Sequence, residues 1–160
     1  MTVLPGLLPP GEFIERYQQD CQLPGIRLVK IEANGRLIGF GYGLLLQADS
    51  DWWSSLTSSA MPDSFTWEDG QRTFAVRAIV VRPHYRRLGH GQVIHDALLR
   101  DNPVERSTLM VPPEVPAALG LCENLGYLFV GAARPQESES TYLSMVRETS
   151  GGSHRKIGRR

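Results

Sequence analysis

Ile79-Val80-Val81-Arg82-Pro83-His84-Tyr85-Arg86-Arg87-Leu88-Gly89-His90-Gly91 is the stretch on which the reading of this chain turns. The residues before it, from Arg72 to Arg82, are rich in β-branched side chains and predict a strand that Pro83 ends. Those after it, Gly89 to Arg100, predict a helix with Val93, Ile94, Ala97 and Leu98 as its apolar stripe. Between the two lies Arg86-x-x-Gly89-x-Gly91. The first turn of a helix carries N–H groups with no intrahelical partner, and the helix dipole adds partial positive charge. A diphosphate suits such a turn. Gly89 and Gly91 lack the Cβ atoms that would hold phosphate oxygens off the backbone, and Arg86 and Arg87 add fixed charge. The competing reading is a tight turn whose glycines are only structural. The arginine pair, Pro83 and the strand-turn-helix context favour anion binding. No Gly-Lys-Ser/Thr follows, which excludes a Walker loop, and a dinucleotide fingerprint would need glycine where Ile94 stands.

Outward from this stretch the chain alternates in a regular way. Gly11 to Cys21 predicts a short helix with Phe13, Ile14 and Tyr17 on one side, broken by Pro24-Gly25. Ile26 to Ala33 and Arg36 to Leu46 predict two strands joined by Asn34-Gly35, a strong hairpin signal because both residues tolerate positive φ. Gly39, Gly41 and Gly43 leave one face of the second strand bare, so something is expected to approach it closely. Asp49 to Asp69 is polar and irregular, with a short helix expected around Trp52 to Ser59. Ser107 to Val111 predicts a strand, Val115 to Leu125 a helix stopped by Gly126, and Tyr127 to Ala132 and Thr141 to Val146 two final strands. The fold class is α/β, with one mixed central sheet flanked by helices. Residues 1–149 form the domain, and the glycine-rich basic stretch 150–160 reads as a disordered, solvated tail.

Composition bounds the function. The chain has 160 residues, one domain's worth, with 41% hydrophobic and 21% charged residues, as expected of a globular protein. Lysine plus arginine and aspartate plus glutamate both number 17, so net charge gives no reason to expect nucleic acid or an anionic membrane as partner. No apolar run approaches the ~20 residues of a membrane span, and no signal peptide is read at the start. Cys21 and Cys122 have neither metal-ligand nor redox spacing, and the four histidines pair on no helix face. No metal is expected, and a reduced, cytoplasmic protein is.

The quoted stretch resembles the strand, pyrophosphate loop and helix start of the GNAT superfamily of acyl-CoA-dependent N-acetyltransferases. Arg86, Gly89 and Gly91 match its loop signature, Gln/Arg-x-x-Gly-x-Gly/Ala. Ala118-Leu119-Gly120-Leu121-Cys122-Glu123-Asn124-Leu125-Gly126-Tyr127 is similar to its Ala-x-x-x-Tyr-x-x-x-Gly-Phe helix end. The resemblance runs from about Ile26 to Val146. It implies acetyl-CoA as acyl donor, with the sheet splayed beside the strand that precedes the loop. The pantetheine arm would pair with Ile79, Val80 and Val81 as a pseudo-strand, and N–H groups from Arg87 through Leu88, Gly89 and His90 to Gly91 would take the pyrophosphate. The acceptor implied is an amine of a small molecule or peptide.

The chain also departs from that family. Its members often carry a glutamate base on the strand that here reads Arg72 to Val81, where no carboxylate stands and Arg77 or Ala78 is nearest the expected place. Cys122 replaces the tyrosine that often protonates the leaving thiolate. A cysteine beside Leu121 and Leu125 is either a packed hydrophobe or a proton donor. Glu68, with Asp69, Asp51 and His84, is a candidate base, and Tyr142 and Tyr127 are candidate donors. Trp52 and Trp53 form either an aromatic wall for the acceptor or caps on the core. The family's first strand is either absent or formed irregularly by Val3 to Leu8. The leading function is N-acetyl transfer. A catalytically silent acyl-CoA-binding module is the alternative, a nucleic-acid reader through Arg82, Arg86 and Arg87 the weakest, and a homodimer stays open.

Overall fold

The computed structural model describes residues 2–4 (backbone alone), 10–57, 61–135 and 138–149, so the expected tail at 150–160 lies outside the described residues. In chain order the elements are β1 (Thr2–Leu4), α1 (Pro10–Asp20), β2 (Arg27–Ala33), β3 (Arg36–Leu45), a 3-10 turn (Trp53–Ser55) and α2 (Asp63–Thr66). There follow β4 (Thr73–Val81), a second 3-10 turn (Pro83–Tyr85), α3 (His90–Leu99), β5 (Arg106–Val111), α4 (Pro116–Asn124), β6 (Leu128–Ala133) and β7 (Tyr142–Glu148).

The sheet is mixed, in the order β2-β3-β4-β5-β7-β6, with β1 paired to β4. The β2–β3 hairpin turns at Asn34 (φ 52°) and Gly35 (φ 74°), as the Asn-Gly pair demands. Of the helix expected over Trp52 to Ser59, the described residues 52–57 hold a three-residue turn, Ser58 and Ser59 lie outside the described residues, and α2 is an addition that the polar stretch did not announce.

Helices cover both faces. On one, α3 and α4 close a core containing Phe74, Val76, Ile79, Ile94, Leu98, Leu109, Cys122 and Tyr127. On the other, α1 lays Phe13 and Tyr17 edge-on against Tyr42, at 6.0 and 4.9 Å between ring centroids. The bare face of β3 is explained by α3. A Cβ on Gly41 would collide with Ile94, and one on Gly39 would stand 3.3 Å from the same side chain. Arg27 crosses to the far end of α3, donating to the carbonyls of Leu98 (3.3 Å) and Arg100 (2.5 Å), a cation at a helix C-terminus.

Two irregularities in β4 shape the site. Tyr42 pairs with Ala78 but Gly43 pairs with Val76, so Arg77 is a bulge residue with no partner on β3. Arg77 and Ala78 therefore both face α1. The second irregularity is on the other edge. The parallel pairing of β4 with β5 runs only from Thr73/Arg106 to Ala75/Thr108, after which the strands part.

Candidate functional site

The loop beyond β4 is the candidate anion site. Arg87 (φ 62°) and Gly89 (φ 83°) both hold left-handed backbone. For arginine this conformation is uncommon, and such strain concentrates at binding sites. Gly89 is the N-cap of α3 and has no side-chain cap; an added Cβ there would meet nothing within 4 Å, so the space over the loop is open. Arg86 donates Nε–H to the Val81 carbonyl at 3.0 Å, which fixes its guanidinium across the strand end. Its Nη2 is buried and has no partner among the described residues. An unspent buried donor, an open glycine turn and a helix start are what a phosphate group would satisfy. Tyr85 braces His90, ring centroids 6.3 Å apart.

Behind the loop, α3 is pinned by a buried polar chain. His95 Nε2 and Tyr127 Oη lie 2.7 Å apart, and Tyr127 Oη and Ser107 Oγ 2.8 Å apart. Burial keeps the His95 imidazole below the ordinary histidine pKa despite the neighbouring Asp96, so it is neutral. The same burial raises the Tyr127 phenol and keeps it protonated.

On the α1 face, the bulge residue Arg77 meets Asp20 from the end of α1, at 3.3 Å between Nε and Oδ2. Tyr42 donates its hydroxyl to Asp20 at 3.0 Å, its pKa raised by burial and then by the Asp20 charge. The Arg77 guanidinium lies 5.4 Å from the Trp52 ring centroid. The sequence reading missed Asp20 as a site residue. A signal was there: Phe13, Tyr17 and Asp20 follow i, i+4, i+7, which puts an acid on the apolar stripe of α1.

The expected catalytic residues do not converge. Cys122 is fully buried under α4 in the core on the α3 face, and burial pushes its thiol up to about 12. Glu68 is also buried, far along β4 from the loop, where its Oε1 accepts from Thr73 (2.6 Å), Arg106 (2.9 Å) and Trp53 (3.0 Å). Its Oε2 is buried with no partner among the described residues. Trp53 is 6% and Trp52 5% exposed, so both cap the core and neither forms an open aromatic wall. Arg106 stacks 4.8 Å from the Trp53 ring, completing the Glu68 cluster. Tyr142 is half-buried and packs with Trp52 in one cluster. Trp52, Tyr142 and the bulge are thus brought together, while Cys122 and Glu68 are left apart.

Solved structures share this architecture. The chain is similar to the ribosomal-protein-S18-alanine N-acetyltransferase of Escherichia coli, at TM-score 0.55 and 16% identity over 92% of each chain. It is similar to a GNAT superfamily phosphinothricin acetyltransferase of Sinorhizobium meliloti, solved with AcCoA (TM-score 0.58, 14% identity, 91% of this chain and 72% of that one). Naa20 of Chaetomium thermophilum, solved with a bisubstrate analogue, matches at TM-score 0.58 and 18% identity over 98% of this chain and 82% of its own. The chain has the GNAT fold. No family model and no curated protein matches the sequence. Within the GNAT fold, the parting of β4 from β5 agrees with the splayed sheet that the resemblance implied. No helix among the described residues is long and apolar enough to cross a membrane.

Proposed function

We propose that the protein is an acyl-CoA-dependent N-acetyltransferase acting on an amine of a small molecule or peptide. One observation carries the reading. The strand edge Ile79–Val81, which β5 has left and to which only the short β1 pairs among the described residues, runs directly into a loop with left-handed backbone at Arg87 and Gly89 and an unspent buried donor on Arg86. An edge supplies N–H and C=O groups to an extended amide chain, and the loop supplies donors to a diphosphate. When bound, acetyl-CoA contributes the thioester to be cleaved. The loop from Arg86 to Gly91 would hold the phosphates, and Ile79, Val80 and Val81 would align the pantetheine arm. The bulge at Arg77 then marks the level at which an amine would meet the acyl carbon.

Of the candidates for proton transfer, Tyr142 fits best, since it lies half-buried on the face that carries the bulge and Trp52. Water, not a carboxylate, would take the amine's proton, because β4 carries no carboxylate and Glu68 lies buried in its own cluster with Thr73, Arg106 and Trp53. The silent acyl-CoA-binding alternative draws on that same lack of a free carboxylate at the bulge. Titration with coenzyme A, followed by thiol release from acetyl-CoA against a panel of amines, separates the two. Amine-dependent thiol release is expected. CoA binding without release on any amine would favour the silent module, and no CoA binding would overturn both.

A further inference from the structure

Over Ile79–Val81, β4 has two backbone edges. One is taken by β3 through Gly39, Phe40 and Gly41. The other is filled by the chain's own β1, antiparallel, with Thr2 opposite Val81, Val3 opposite Val80 and Leu4 opposite Ile79. β1 also approaches β5, so it lies in the parting of the sheet. The first strand, expected to be absent or formed irregularly by Val3 to Leu8, is described over Thr2–Leu4, and residues 5–9 lie outside the described residues. Thr2 and Val3 are β-branched and favour extension, and Pro5 follows with no N–H to donate to the ladder. The strand is accordingly three residues long.

A strand edge carries one set of donors and acceptors and pairs with one extended chain at a time. We propose that Ile79–Val81 is a competitive strand-docking site, held by Thr2–Leu4 and yielded to the pantetheine arm when CoA binds. The inference rests on the proposed function, since it needs an extended acyl-carrier ligand at this edge. The pairing described for β1 runs from Leu4 opposite Ile79 to Thr2 opposite Val81 and does not include the loop at Arg86. Three residues of pairing are a weak hold, suited to displacement. The consequence is a lowered apparent affinity, since only the fraction of molecules with β1 released can take the whole ligand.

The test uses the full chain and coenzyme A. Neighbouring N–H groups of a strand point to opposite sides, so either Val3 or Leu4 directs its own towards β4, and proline removes it. At least one of Val3→Pro and Leu4→Pro should bind CoA about tenfold more tightly than the wild type, a difference of 1.4 kcal/mol. In the unaltered chain, amide exchange should show Thr2–Leu4 losing protection on CoA saturation while Ile79–Val81 keep theirs. This second measurement does not depend on the variants' folding. Unchanged affinity in both variants, or Thr2–Leu4 still protected in the CoA complex, would overturn the competition while leaving the proposed function standing. Absence of CoA binding in all three proteins would overturn the proposed function and the competition with it.

Discussion

Cys122 and Arg86 both occupy positions where the sequence matches or departs from a motif, and the structure gives them opposite fates. Cys122 has no exposed surface and a thiol pushed up to about 12 by burial, so it packs and does not titrate. Cys122→Ala should cost about 1 kcal/mol of stability and leave turnover per folded molecule within about twofold. A tenfold loss in turnover at unchanged CoA affinity would restore the thiol as proton donor. Cys122→Tyr, although it supplies the motif residue, should destabilise by about 3 kcal/mol, because the core around it has no room for a phenol. Arg86 instead has a buried nitrogen with nothing to donate to among the described residues. Arg86→Ala should weaken CoA by about 1–3 kcal/mol, the range for a charge-assisted hydrogen bond. It also bonds the Val81 carbonyl, so phosphate-free pantetheine is the control. Equal loss for both ligands would assign Arg86 to support of the turn. The arginine could be read from the sequence because its spacing to two glycines is local. The packing of Cys122 was one of two readings its neighbours Leu121 and Leu125 allowed, and choosing between them depends on how α4 lies against the sheet.

Among the elements, α3 follows the proposed phosphate loop, and its seat is set by Ile94 against Gly39 and Gly41 and by His95 against Tyr127 and Ser107. The alternating glycines announced the close approach; the histidine's partner, 32 residues away, was not legible. His95 gives this seat a pH dependence whose sign follows from burial. Its folded-state pKa is lowered, so as pH falls the unfolded chain takes the proton first. The stability it contributes is therefore full above about pH 6.5 and declines as pH drops from there through the lower folded value. His95→Asn keeps a polar partner for Tyr127 but cannot be protonated. Urea midpoints should show it about 1–2 kcal/mol less stable at pH 8, with a shallower slope between pH 6.5 and 5. Parallel slopes would remove His95 from the pH response. The same scale explains Asp20 and Arg77. Each interrupts an apolar pattern, on α1 and on β4, and only the bulge brings them to 3.3 Å. A sequence displays two such interruptions but not their meeting.

For the whole molecule, the legible part is what local chemistry dictates: the Asn34-Gly35 hairpin, the β4-loop-α3 unit and the order of the later strands. The parting of β4 from β5 and the place of β1 depend on which edge stays open once every other strand is paired, and that is a property of the assembled sheet. It also sets how ligand binding should appear in stability. A ligand that takes the edge and the loop contacts β4 and α3 together, in a geometry that the unfolded chain lacks, so it stabilises the folded state by mass action. At a CoA concentration one hundred times its Kd the gain is about 2.7 kcal/mol. For a domain of this size that corresponds to a rise in Tm of about 5–10 °C. Phosphate-free pantetheine at the same concentration should give a smaller rise, since it engages the edge without the loop. If the release of β1 accompanies binding, CoA should raise the Tm of the more tightly binding proline variant further than that of the wild type at equal CoA. Differential scanning calorimetry on the two proteins over a series of CoA concentrations reads all three quantities. A Tm indifferent to millimolar CoA in both would sink the acyl-CoA reading at its root.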